Sequence, residues 1–164
     1  MSLIINKVTK NYGHFKDSCR ICKSKNLFNF LNLGFQPPSD AFKDVKSLKS
    51  PTMYFPLELC SCNDCGFKQL NFVVNPSYLY QNNYPYESSL TQVGQEHYYS
   101  FANSVVSRFN LKCKDLVVDI GSNIGVLLQG FKKKNMNVIG VDPASNICKI
   151  ANSRGIKTFN GFFG

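Results

Sequence analysis

The chain has 164 residues, of which 43% are hydrophobic and 18% charged, and these values exclude wholesale disorder and predict one ordinary domain or two small ones. No apolar run approaches the roughly 18 residues that a membrane span needs, and no secretion signal is recognisable, so we expect a soluble cytoplasmic protein without a membrane partner. Lysine supplies 16 of the 19 basic residues behind the net charge of +9. Because proteins that read nucleic-acid sequence depend on arginine, this balance argues against a nucleic-acid partner.

Four of the seven cysteines form two C-x-x-C pairs, Cys19 with Cys22 and Cys62 with Cys65. This spacing lets each pair wrap one side of a tetrahedral zinc ion. Four sulfur ligands leave no open position for water, so we predict a structural zinc in a ribbon or treble-clef-like module over residues 1–80. Buried or redox-active cysteines are the weaker alternative, since a thioredoxin-like motif needs one C-x-x-C in a β-α-β context. Cys60 lacks the spacing and is predicted to be a bystander.

Within this module, β-rich runs predict strands over residues 27–33, 55–59 and 67–74. Residues 81–112 are assigned to a loop and a linking helix. The loop is aromatic and polar, and it is either a surface loop pinned by tyrosines or a binding loop that offers hydroxyls and ring faces to a sugar-like ligand. Its candidate ligand-binding residues are Tyr84, Tyr86, Ser88 and Ser89.

The linking helix carries apolar residues at steps of three and four, which predict a face that packs inward. The pattern includes a histidine that we expect to pack with this face rather than to act in catalysis. The residues are Leu90, Val93, His97, Phe101, Val105 and Phe109.

Residues 113–164 alternate between strand and helix patterns. We predict strands over residues 116–120 and 137–141 and from residue 156, with helices over residues 126–134 and 144–154. Gly155 is placed to end the second helix. The pattern indicates the first half of a Rossmann-like sheet, so the predicted fold class is α/β, with the zinc module preceding a partial cofactor-binding domain.

Polar and glycine residues follow the first two strands of this sheet, where the carboxyl ends of parallel strands form a ligand crevice. The turn lacks the G-x-G-x-x-G spacing and any basic residue, which disfavours the pyrophosphate of a dinucleotide. The D-x-G-x-x-x-G form suits S-adenosylmethionine, with an acid after the second strand to hold the ribose. An ordinary strand-turn-helix is the alternative. The predicted cofactor-binding residues are Asp119, Gly121, Ser122, Asn123, Gly125 and Asp142.

These motifs together resemble the sugar C-methyltransferase family with an N-terminal zinc-binding domain, a class I S-adenosylmethionine-dependent group. The resemblance covers both cysteine pairs and residues 33–42, 62–70, 84–89, 119–125 and 138–144. It implies zinc on Cys19, Cys22, Cys62 and Cys65, and it places the tyrosine-serine loop near cofactor and sugar. Ile124 departs from the family pattern, which has an acid there.

The resemblance also implies a reaction, the methylation of a ring carbon of a nucleotide-linked keto-deoxysugar after a base removes the neighbouring proton. Relatives continue past the third strand, so we expect a chain truncated before the base and inactive alone. No catalytic residue is assigned, and a second chain that completes the fold is a candidate partner. The alternative function is a zinc-ribbon module that binds nucleic acid or protein and carries a vestigial Rossmann half.

Overall fold

The computed structural model describes residues 12–80, 84–88 and 91–164, and the chain divides into two compact units between Leu79 and Tyr80. The first unit contains the cysteine module, and the second contains a three-stranded parallel sheet with its helices. This mixed α/β arrangement confirms the predicted fold class, a cysteine module followed by a partial sheet.

Two small antiparallel sheets build the first unit. In one sheet, β1 (Gly13–Phe15) pairs with β5 (Phe72–Val74). In the other, the strand order is β2 (Leu27–Gln36), β3 (Phe55–Cys62) and β4 (Lys68–Leu70). A short helix, α1 (Pro76–Tyr80), follows β5.

The predicted single strand over residues 67–74 is wrong, because the chain changes sheets at Asn71. The backbone N–H of Asn71 donates to the carbonyl of Glu58 at 2.9 Å, and its side-chain amide donates to the Glu58 carboxylate at 2.9 Å. Immediately afterwards Phe72 is buried, with its ring 6.1 Å from that of Phe55 and 5.0 Å from that of Phe15. Because this ring is buried against other strands, the chain leaves the first sheet at Asn71, although the β pattern of the sequence continues to residue 74.

The second unit contains three parallel strands in the order β6 (Leu116–Ile120), β7 (Asn137–Asp142) and β8 (Thr158–Asn160). Its helices are α2 (Gln92–Phe109), α3 (Val126–Lys132) and α4 (Ser145–Ser153). After α4, Gly155 takes a φ of +74°, the left-handed conformation that ends a helix. The strands and helices predicted from residue 113 onward therefore agree with the structure to within about two residues at each end, the usual uncertainty of helix and strand boundaries.

Helix α2 buries only part of the predicted face: Val105 packs beside the core, whereas most of the other predicted residues are exposed and Leu90 lies outside the described residues. Val93, Phe101 and Phe109 are 75%, 49% and 65% exposed, whereas Ala102 is fully buried. The reason lies at Gly130 of α3, where an added Cβ would stand 2.8 Å from the Cβ of Ala102. Two small residues let the helix backbones approach closely, so the contact centres on Ala102 rather than on the larger side chains.

The prediction that His97 packs with the apolar face is also wrong, because its side chain is exposed. Its ring centroid lies 5.7 Å from that of Tyr98, which belongs to the face that turns towards the core.

One face of the parallel sheet is apolar and open among the described residues. Leu116, Val118 and Ile120 of β6 are exposed, and so is Phe159 of β8. The residues between them in β6 point to the other face, where Val117 packs beside Phe131 and Met136.

Among the helices of the described ranges, none combines the length and the apolar character that a membrane span requires.

Candidate functional site

The four cysteines of the two C-x-x-C pairs bring their sulfurs together at one point, all within 4.8 Å of one another. The sulfurs of Cys19 and Cys65 are 3.6 Å apart, and those of Cys22 and Cys62 are 3.5 Å apart. Four Zn–S bonds of about 2.3 Å in a tetrahedron require sulfur separations of about 3.8 Å, so the cluster fits one zinc ion. Cys60 is buried but does not belong to the cluster.

Side chains outside the cluster tie the two cysteine turns together. Asp64, between the second pair, accepts hydrogen bonds from the Ser24 hydroxyl and from the Asn26 amide, the latter at 2.9 Å. The two bonds, with Ser24 contributing most, lower the pKa of Asp64. Gln69 of β4 is buried and supports the first turn, because its amide accepts from the Arg20 N–H at 2.9 Å and donates to the Ser18 carbonyl at 3.1 Å.

The thiols have opposing ionisation preferences because they are crowded. The backbone N–H of Cys22, helped by that of Ile21, lowers the pKa of Cys19 to about 6 against the effect of burial. At Cys22 the N–H of Ser24 lowers the pKa, but hydrogen bonds with Cys62 and Cys65 and burial outweigh it and raise the pKa to about 12. Four neighbouring thiolates need a cation, which is the electrostatic setting of a metal site.

A second site lies at the carboxyl edge of the parallel sheet, where a pocket of about 590 Å³ opens. Of the residues predicted to bind a cofactor, five line it, namely Asp119, Gly121, Ser122, Asn123 and Asp142. Gly125 does not line it. This glycine precedes α3 with a φ of +79°, and an added Cβ would lie 2.8 Å from the side chain of Ile156, so a larger residue would not fit there.

Asp142 is buried at the end of β7 and is held by two backbone groups. One carboxylate oxygen accepts the N–H of Asn123 at 2.9 Å, and the other accepts the N–H of Ala144 at 2.9 Å. Each oxygen keeps a further lone pair for a ligand hydroxyl. Asp119 enters the pocket from β6, and burial, followed by the charge of Asp142, raises the pKa of its carboxyl.

The turn after β6 combines a buried hydroxyl with an open backbone. The hydroxyl of Ser122 is buried against Gly140, where an added Cβ would lie 2.4 Å from it, and it has no hydrogen-bond partner among the described residues. Gly121 has a φ of +76°, and a Cβ added there would meet no atom within 4 Å, so the backbone is open on that side. Ile124, by contrast, is fully buried in the core with Val126 and Ile147 and does not line the pocket.

The tyrosine-serine loop forms another wall of this pocket through Tyr84, Tyr86 and Ser88. Ser89, predicted with them, lies outside the described residues. Tyr98 of α2 also lines the pocket and was not predicted, because the sequence pattern favoured the neighbouring stripe through His97. Asn146 was missed as well. Its side chain hydrogen-bonds both backbone groups of Tyr84, a contact that no pattern in the sequence predicts.

Comparison with known proteins gives two matches. Residues 19–80 match a family model described as "Putative zinc binding domain", a range that includes both cysteine pairs. The chain is also 31% identical over 147 residues to the C-methyltransferase NovU of Streptomyces niveus, which covers 90% of this chain and 35% of the relative. The chain therefore spans about a third of that relative's length. Most of the chain is therefore similar to part of a C-methyltransferase, and its cysteine module is similar to a zinc-binding domain.

The charges that line the pocket determine which ligands suit it. Its described lining contains two acids, Asp119 and Asp142, but no lysine, arginine or histidine, although the whole chain has a net charge of +9. A pocket without cations is poorly suited to phosphate groups and better suited to hydroxyls and positive charge.

Proposed function

We propose that this chain contributes the zinc-binding module and the cofactor edge of an S-adenosylmethionine-dependent C-methyltransferase. The observation that supports this most directly is a pocket whose described lining has two acids and no basic side chain, in a chain that is 31% identical to a C-methyltransferase over 147 residues. Such a lining matches a ligand that carries ribose hydroxyls and a sulfonium cation, and it disfavours a dinucleotide.

The residues present fit that cofactor. S-adenosylmethionine, when bound, would supply a methyl group activated by its sulfonium charge. Asp142 would accept ribose hydroxyls with its remaining lone pairs. Asp119, whose ionisation is opposed by burial and by Asp142, would be stabilised in its charged form by a nearby cation.

The proposed substrate is a nucleotide-linked keto-deoxysugar. Tyr84, Tyr86 and Ser88 form one wall of the pocket. Because the described lining has no basic group, this wall suits the sugar rather than its diphosphate. No described residue is assigned as the base that would remove the sugar proton. We therefore propose that residues 1–164 alone bind the cofactor but do not transfer methyl at enzyme-like rates.

The zinc is proposed to be structural, held by Cys19, Cys22, Cys62 and Cys65. All four ligand positions would be sulfur, and a catalytic zinc needs one position open to water or substrate.

Further polypeptide is proposed to cover the open apolar face of the sheet. Parallel sheets are normally covered on both faces, and here Leu116, Val118 and Ile120 are exposed on one of them. Either a longer form of this chain or a second chain would serve.

Binding of S-adenosylhomocysteine to the full 1–164 chain tests the cofactor assignment by calorimetry and thermal melting. We expect saturable binding with a rise in Tm of several degrees, no such response to NAD, and at least about tenfold weaker binding for Asp142→Asn because a charge-assisted acceptor is lost. Asp17→Asn, on the exposed surface of the other unit, is the control. Equal responses to both ligands, or an unaffected Asp142→Asn variant, would contradict the assignment.

A further inference from the structure

Two asparagine side chains attach the segment from Tyr84 to Ser88 to the sheet edge. The Asn123 carbonyl oxygen accepts the N–H of Ser88 at 2.8 Å, and its amide donates to the carbonyl of Tyr86 at 3.0 Å. Asn146 pairs with both backbone groups of Tyr84, donating to its carbonyl at 2.8 Å and accepting from its N–H at 3.2 Å. Each side chain therefore meets the segment as a neighbouring strand would, with one donor and one acceptor.

The two asparagines belong to the turns that form the pocket. The N–H of Asn123 donates to the carboxylate of Asp142, and its side-chain oxygen also accepts the N–H of Ile124 at 2.8 Å. Asn146 lies in the first turn of α4, four residues after Asp142. A salt bridge from Arg154 at the end of α4 to Glu87 of the segment, at 3.8 Å, adds a weaker contact between exposed groups.

The backbone conformation restricts which residue can occupy position 123. Its φ is +49°, a region that asparagine, aspartate and glycine adopt most readily. Of these three, only asparagine has both the donor for Tyr86 and the acceptor for Ser88. Glycine would keep the turn but lose both contacts, and aspartate would keep only the acceptor.

We propose that Asn123 is a positioning residue that couples the cofactor turn to the substrate loop, rather than a residue whose side chain contacts the cofactor. Its backbone N–H fixes Asp142, and its side chain fixes the loop that presents Tyr84, Tyr86 and Ser88 to the pocket. A ligand that orders the turn thereby orders the loop. The inference rests on the proposed function for the identity of that ligand, but not for the existence of the coupling.

Hydrogen exchange of the ligand-free full chain tests the coupling. We expect Asn123→Gly to raise the exchange rate of residues 84–88 about tenfold, because the Ser88 N–H loses its acceptor. Asn123→Asp keeps the acceptor for Ser88 but loses the donor that holds the Tyr86 carbonyl, so it should give an intermediate rate. The matched control is Asn135→Gly, which changes another left-handed asparagine (φ +60°) whose hydrogen bonds run through its backbone, and it should leave the rate unchanged.

An Asn123→Gly rate equal to wild type, or one matched by Asn135→Gly, would overturn the proposal. If Asn123→Gly fails to fold, a wild-type rate in Asn123→Asp overturns it instead. Adding S-adenosylhomocysteine should then slow exchange of the segment in wild type but not in Asn123→Gly. Absence of any ligand binding would count against the proposed function, whereas the ligand-free rates would still decide the coupling.

Discussion

Each of the four clustered cysteines should be needed for the first unit to hold a metal, because their sulfurs together supply the four ligands of one ion. Removing any one of them leaves three thiols around an ion that is most stable with four. The buried member of the second pair, Cys62, is the most informative to replace. Among the described residues of the first unit, Cys60 is the only cysteine outside the cluster, and it interacts with Gln69 instead.

Cys62→Ser is expected to abolish stoichiometric zinc. Structural zinc contributes on the order of 10 kcal/mol to such modules, so the variant should also lose the folded state of the first unit. Metal analysis of the purified chain and circular dichroism before and after chelation measure the two effects. Cys113→Ser, at an exposed cysteine of the other unit, should keep one zinc per chain, and equal zinc loss in both variants would refute the assignment.

The carboxyl of Asp119 makes the second unit less stable as pH rises. Its pKa is raised in the folded state by burial and then by Asp142, so the folded chain holds this proton more tightly than the unfolded chain does. The stability associated with the proton is present below the ordinary carboxyl pKa of about 3.9 and is lost as pH rises through the raised value.

Asp119→Asn is therefore expected to melt at a higher temperature than wild type at neutral pH, with the difference disappearing as pH falls below about 4. Calorimetric melting over that pH range measures the difference. The same variant should bind S-adenosylhomocysteine no better than wild type. A stability gain that is constant with pH would show that the effect is not the carboxyl ionisation.

Among the helices, the contact between α2 and α3 depends on two small residues, Ala102 and Gly130. Gly130→Ala places a methyl 2.8 Å from the Cβ of Ala102 and 3.3 Å from the ring of Tyr99, and the overpacking should cost about 1–3 kcal/mol. Denaturant unfolding measures this change. Gly161→Ala, where an added Cβ would meet nothing within 4 Å, is the control and should be near neutral.

Regular segments were predictable from the sequence, and irregular ones were not. Strands β6 and β7 follow from short β-branched runs, and helix α4 follows from apolar residues at steps of three and four, each bounded by polar or glycine residues. The short strand β1 and helix α1 carry too few residues for a pattern, and the division between β4 and β5 depends on Phe72 finding Phe55 and Phe15 in space. The buried face of α2 was predicted only in part, because close approach, rather than side-chain size, sets it.

The pocket shows the same distinction. Asp119, Gly121, Ser122, Asn123 and Asp142 were found because parallel strands bring their ends to one edge, a rule that needs only the order of elements. The hydrogen-bond partners and pocket contacts of individual side chains were not predictable. That Asn123 uses its side chain on Tyr86 and Ser88, and that Tyr98 reaches the pocket, depends on how a loop and a helix pack on that edge.

At the scale of the whole molecule, the open sheet face should govern how the chain behaves in solution. Val118→Lys is expected to reduce self-association with little change in Tm, because Val118 is on the exposed face. Val117→Lys changes the preceding residue, which packs against the core on the opposite face of the sheet. It should lower the free energy of unfolding by several kcal/mol. Light scattering and thermal melting compare the pair. Equal destabilisation by both would show that the face is covered.

Each cysteine pair contributes one buried residue and one exposed residue, with Cys19 and Cys62 buried and Cys22 and Cys65 exposed. Oxidants and chelators in solution therefore reach the centre from one side. Chemical attack begins at the outer two thiols, while the inner two stay protected until the ion has left. The rate of metal release should follow the accessibility of Cys22 and Cys65. These two exposed residues would therefore control how long the first unit stays folded under oxidative stress.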